Sequence, residues 1–196
     1  NCGSMANSTA LRHPTFLDLI LPARGASRIA LDVVAILAAS LFVAAAAQIS
    51  VPTPWGIPFT CSDIAAVLVG IALGPWRGAA ALTVYMVEGV SGLPVFSNGW
   101  AGLPPLTFGY ILGFIPAAFI AGWLAQRGWD RSRGRLAVAM AIAQIVIYIG
   151  GIAWAGLLAP ALLMWGVVPF LPAAAVKIAI AVALVPAAWK AIGRTR

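Results

Sequence analysis

Lys177 stands inside an otherwise apolar run, from about Pro169 to Ala188, and its chemistry is the hardest in the chain to explain as filler. A lysine within a bilayer costs about 2.5–3.5 kcal/mol even on insertion scales, so it needs a partner or a task. Other polar and aromatic residues fall near the ends of neighbouring apolar runs: Asp63, Glu88, Thr107, Tyr110 and Trp154, with Trp55, Phe96, Asn98 and Trp100 in the intervening segments. One cation among aromatic walls suits a small amphipathic acid, the ammonium meeting a carboxylate while the rings cover an apolar body. Each group also has a plainer use. Lys177 could pair with Asp63 or Glu88 as structural glue, Asp63 could cap a helix, and Glu88 could reach interfacial water. The tryptophans could form an interfacial belt, which is the expectation for Trp76, Trp129 and Trp189. His13 is expected to be solvated.

Several other chemistries are excluded. Gly89-Val90-Ser91-Gly92 has the spacing of an intramembrane serine protease motif, but such a serine needs a base beside it. The only histidine, His13, precedes the first apolar run. No G-x-x-x-x-G-K-[ST] run exists, since Lys177 follows Val176 and Lys190 follows Trp189, so ATP hydrolysis by a P-loop is ruled out. No cluster has metal-ligand spacing. The expectation is a protein without cofactor or enzymatic activity. Any active transport must draw on a partner's energy or on an ion gradient, and in the second case Asp63 and Glu88 would be the proton-coupling groups.

The elements that must position these residues follow from composition. The 196 residues are 62% hydrophobic and only 9% charged, with a mean hydropathy of +0.99. Soluble domains carry roughly 25% charge, so the bilayer is the natural solvent, at about 20 apolar residues per helical crossing. Apolar runs punctuated by glycine, proline and arginine predict six spans. They cover about 29–49, 60–74, a third from the Gly74–Gly78 turn to Val90, 106–126, 136–158 and 169–188. Pro116 and Pro186 fall inside spans, where neighbouring helices can satisfy the freed carbonyls. Residues 1–28 form an N-terminal cytoplasmic segment, 29–192 a single six-helix transmembrane domain and 193–196 a tail. Within the first segment, Asn1-Cys2-Gly3-Ser4 reads as a cloning remnant before Met5. No cleavable signal peptide is expected, and Cys61 reads as a small apolar helix-end residue.

Charge supplies the orientation. Six spans put Arg12, Arg24, Arg28, Arg77, Arg127, Arg131, Arg133, Arg135, Lys190, Arg194 and Arg196 on one side, which is eleven of the twelve basic residues. Basic residues collect in cytoplasmic loops, so both termini are expected inside and the net charge of +7 reflects a lipid bilayer partner, not nucleic acid. Lys177 is the twelfth. The outer half of the bundle then gathers the costly groups. In the first span Ala35 and Ala39, then Ser40 and Ala44, give small-xxx-small spacing that permits close helix approach.

Three segments carry a resemblance. Leu73-Gly74-Pro75-Trp76-Arg77-Gly78 is followed by Tyr85-Met86-Val87-Glu88-Gly89 and Gly92-Leu93-Pro94-Val95-Phe96. Thr107-Phe108-Gly109-Tyr110-Ile111-Leu112-Gly113-Phe114 is the second, and Pro169 to Lys177 the third. In order and spacing the chain resembles the BioY family, the biotin-specific S components of energy-coupling-factor transporters. The resemblance implies an all-α, S-component-like six-helix bundle in the bacterial cytoplasmic (inner) membrane, binding biotin from outside. It implies Lys177, Tyr110, Thr107, Gly109, Phe108, Phe96, Asn98, Trp100, Asp63 and Trp154 as substrate-binding residues. It also implies a transmembrane coupling protein and a pair of ABC-type ATPases as partners, with Ala35, Ala39, Ser40 and Ala44 facing the coupling protein. An autonomous proton-coupled transporter is the alternative. The sequence departs from the family pattern at Ala174, where the third motif has aspartate, and at Ala173, Leu106, Phe108 and Ser62.

Overall fold

Apolar runs bounded by glycine, proline and charge become helices. The computed structural model describes residues 13–20, 26–51, 59–104, 106–158 and 170–194; the expected connection over 52–58 with Trp55, Pro169 and the first twelve residues lie outside them. The helices are α1 (Phe16–Ile20), α2 (Ala26–Gln48), α3 (Ser62–Leu73), α4 (Pro75–Val90), α5 (Phe108–Ala125), α6 (Arg133–Leu158) and α7 (Leu171–Arg194). A two-residue antiparallel bridge joins β1 (Ser50–Val51) to β2 (Phe59–Thr60). Helices α2 to α7 match the six expected runs to within a few residues.

Among the described residues four helices are long and apolar enough to cross a membrane: Arg28–Gln48, Phe108–Ala125, Arg133–Leu158 and Leu171–Lys190. Helix α3, with 12 residues, is about 18 Å long at 1.5 Å per residue. Gly74, at φ 86°, turns the chain sharply into Pro75 at the start of α4, where the missing N–H of proline is harmless.

Helix α5 is the axis of the bundle, and glycine lets its neighbours reach it. A Cβ on Gly70 of α3 would overlap the backbone of Ala118, and one on Gly113 would press on Ile147 of α6. At such crossings small residues allow backbones to touch. Leu82, Leu136, Ile147, Val43 and Val67 fill the remaining core.

Lys177 and Arg77 mark opposite ends of this bundle. At the Arg77 end a collar of polar contacts joins three helices. Arg77 reaches Asp18 of α1 at 3.0 Å and Asp32 of α2 at 3.0 Å, and Arg28 reaches Asp18 at 3.1 Å. Burial works against the Asp18 carboxylate, but hydrogen bonds from Thr15 and Arg77 outweigh it and hold its carboxyl below the usual aspartate range. Phe16 stacks on Trp189 of α7 at 4.1 Å, and the Trp189 indole N–H donates to Asp130 at 2.6 Å. Trp189 is thus built into the fold and is more than a belt residue. Burial pushes the Asp130 carboxyl up despite that bond.

Candidate functional site

At the other end, α3 to α7 and the 91–104 loop line a partly open cavity, the concave, mostly apolar kind of place in which small molecules bind. Its charged lining consists, among the described residues, of Lys177 and Asp63. Lys177 sits about two turns into α7, and its Nζ donates to Asp63 Oδ1 at 2.7 Å and to the Thr60 carbonyl at 2.5 Å. Both side chains are mostly buried, at 17% and 15% exposure. An ammonium has three N–H donors, so this pairing leaves one in a largely apolar chamber. Glu88 takes no part: its Oε1 accepts from Ser40 at 3.1 Å, toward α2.

Asp63 is positioned by the start of α3. Its Oδ1 also accepts the Ile64 N–H at 2.8 Å, tying the carboxylate to the first turn. The Thr60 and Ser62 hydroxyls lie 2.7 Å apart beside it. The bridge between β1 and β2 holds Thr60, which presents its carbonyl to the ammonium.

The walls are aromatic. Tyr110 and Tyr148 meet edge to face at 6.5 Å, because the absence of a side chain on Gly151 leaves room for the Tyr110 ring. Phe96, 1% exposed, meets Tyr85 edge to face at 5.4 Å and occupies the space beside Gly89. Gly89 of the G-V-S-G run therefore makes room for a ring, and Ser91 donates to the Glu88 carbonyl at 2.8 Å. Phe114, Ile111 and Ile147 complete the apolar lining.

Of the residues expected at the site, Lys177, Asp63, Thr107, Tyr110 and Phe96 line the cavity. The others lie behind it or at its rim. A Cβ on Gly109 would overlap Trp154 and the Gly150 carbonyl, so Gly109 brings α5 against α6. Phe108 and Trp154 meet edge to face at 5.2 Å. Asn98, at φ 58°, shapes the loop and accepts from Ser50 Oγ at 2.6 Å, while Trp100 is half exposed. Gln48, which no motif marks, clamps that loop. Its Nε2 donates to the Phe96 carbonyl at 3.1 Å and its Oε1 accepts the Gly99 N–H at 3.1 Å.

Sequence reading missed Tyr85, Gln144 and Tyr148 in the lining. A polar residue mid-run, Gln144, followed one turn later by Tyr148, was the available signal. Ala39, Ser40 and Ala44 are buried within the chain, with Ser40 against α4, and Ala35 is half-buried beside them.

The comparisons with known proteins agree with this architecture. BioYB of Bacillus subtilis strain 168 is 36% identical over 96 residues, covering 47% of this chain and 48% of the relative. The biotin transporter BioY of Rhodobacter capsulatus is 36% identical over 92 residues, covering 45% and 48%. The matches thus span about half the length of these two relatives. A BioY protein of Methanothermobacter thermautotrophicus is 34% identical over 130 residues, 59% of this chain and 83% of the relative. These relatives are named as transporters, not enzymes. The crystal structure of the S-component for biotin from an ECF-type ABC transporter superposes with a TM-score of 0.72 over 86% of this chain and 95% of that one. At 20% identity this likeness establishes the shared fold. The sequence also matches the BioY family as a whole over residues 19–194, and on that extent the chain belongs to the BioY family.

Proposed function

We propose that the chain captures biotin at the Lys177 end of the bundle and carries it across the bacterial cytoplasmic membrane, powered by an ATPase-driven coupling module. The observation that carries this reading is a lysine with donor capacity to spare, set in an aromatic cavity. Biotin is an amphipathic acid: its carboxylate meets the remaining Lys177 N–H, and its fused rings lie against Tyr110, Tyr85 and Phe96. A charge-assisted hydrogen bond contributes about 1.5–3 kcal/mol, or roughly ten- to a hundredfold in affinity.

Six crossings with both termini inside are the topology that goes with this function. Eleven of twelve basic residues then share the cytoplasmic side, and the cavity opens outward. The short helix α3 is tolerated because it is packed among its neighbours, where protein meets the needs of its backbone ends. The coupling protein docks on α2. One face of that helix is exposed at Ala30, Val34, Ala38 and Ala45. The other carries Ala39, Ser40 and Ala44, and Ala35 lies at the border.

Calorimetry on the purified chain tests the reading. Stoichiometric biotin binding is expected, with Lys177→Ala weakening it at least tenfold. Absence of heat with biotin, alongside binding of a different carboxylate vitamin, would sink the substrate assignment. Uptake into vesicles only when the coupling module and ATP are present supports the coupled mechanism. Uptake without them, abolished by collapsing the proton gradient, would replace it with the autonomous one.

A further inference from the structure

We propose that Gln144 is a specificity-determining residue that pairs with a neutral group of the ligand presenting a carbonyl beside an N–H, while Lys177 holds the ligand's carboxylate. This rests on the reading of the cavity as the biotin site and assigns its second polar anchor. Gln144 lies on α6 within the lining, 8% exposed. Its Nε2 is buried and has no hydrogen-bond partner. The Tyr148 hydroxyl one turn along, which donates to the Phe170 carbonyl at 3.4 Å, is its polar neighbour, but that contact falls short of hydrogen-bond geometry at the amide nitrogen. Ile111, Phe114 and Ile147 belong to the same lining.

An unpaired buried amide destabilises the empty protein, so a role in holding the fold together does not account for it. A ligand acceptor does. The group must be neutral, because Lys177 and Asp63 are the charged members of the lining among the described residues. A cyclic urea offers C=O and N–H on adjacent atoms, the complement of a carboxamide edge, so two antiparallel hydrogen bonds can form. Sites built to hydrogen-bond a ligand reject analogues lacking the complementary group far better than apolar pockets do.

The experiment compares biotin with 2-thiobiotin, a neutral analogue whose weakly accepting C=S replaces the ureido C=O, by calorimetry on the detergent-purified full chain. Wild-type protein is expected to prefer biotin. Gln144→Met, similar in size, is expected to lose at least tenfold toward biotin and to bring the two ligands to within about threefold of each other. Lys177→Ala should weaken both equally, since both carry the same carboxylate. Should Gln144→Met fail to purify as a monodisperse species, Gln144→Leu also removes the donor and is expected to lose biotin similarly. Unchanged biotin affinity in the variant, or equal loss of both ligands, overturns the assignment while leaving the site intact. Wild-type protein that binds neither ligand overturns the biotin reading itself.

Discussion

Two cations, Lys177 and Arg77, sit at opposite ends of the bundle, and each is paired with carboxylate. Arg77 spends its guanidinium on Asp18 and Asp32, carboxylates from two helices, with Arg28 sharing the first. Lys177 meets one carboxylate and one carbonyl, and faces a cavity. The groove beside Arg77 is wider and more open, and its acid is already engaged. Having an ion-pair partner therefore does not separate a structural cation from a binding one. Leftover donor capacity beside enclosed volume does.

Exchanging the two substitutions gives the largest expected contrast. Lys177→Ala should abolish high-affinity ligand binding, whereas Arg77→Ala should leave affinity within a few-fold. Arg77→Ala should instead cost ~2 kcal/mol of stability, because it strands the partly buried Asp32 carboxylate and leaves Asp18 to Arg28 and Thr15. Thermal unfolding in detergent beside calorimetry separates the two; equal loss of binding in both variants would erase the distinction between the ends.

A second test enlarges Gly113. Valine there must push α5 away from Ile147, at a cost of about 1–3 kcal/mol. It should also weaken ligand binding, since Tyr110 and Tyr148 sit on either side of that crossing. Ligand-induced stabilisation smaller than in wild type is the expected readout; a full ligand shift would mean that the cavity tolerates the displacement.

At the Arg77 end, Trp189→Phe preserves a ring against Phe16 and removes the N–H that Asp130 accepts. About 1 kcal/mol of stability should go, with no change in affinity. Asp130→Asn in the same background should recover part of it, because burial already disfavours that carboxylate.

The smallest effect is with pH. Asp18 has a lowered folded value, so its stabilisation is present above 3.8 and is lost as pH falls through the folded value below that. Asp130 has a raised folded value, so its contribution is present below 3.8 and lost as pH rises through its folded value. Mild acid should therefore first relieve Asp130, and stronger acid should then loosen α1. Hydrogen exchange at α1 would report the second step, and Asp18→Asn should abolish it.

Much of this was legible in the sequence. Helix positions follow from apolar runs ended by residues such as Gly74-Pro75, because the bilayer demands long apolar stretches and glycine with proline interrupts them. Lys177 and Asp63 stood out because buried charge is expensive. What could not be read was which face of a helix turns inward. Gly109 stands next to Tyr110 in one motif, yet the rotation between adjacent helix positions sends Tyr110 into the cavity and Gly109 to the α5–α6 crossing, against Trp154. Ser40 looked like a site for an outside helix and is occupied by Glu88 of the same chain. Gln144 carried a signal in its polarity, but its unpaired nitrogen emerges only once Tyr148, Phe170 and the apolar lining are packed around it.

The stacking of Phe16 on Trp189 has a consequence for biogenesis. The earliest described helix and the last one touch, and the last one also delivers Lys177 to Asp63. In a chain inserted N-terminus first, both the collar and the charged wall of the cavity wait for α7. Structural closure and competence to hold a ligand therefore arrive together, so a nascent chain lacking its final helix has neither.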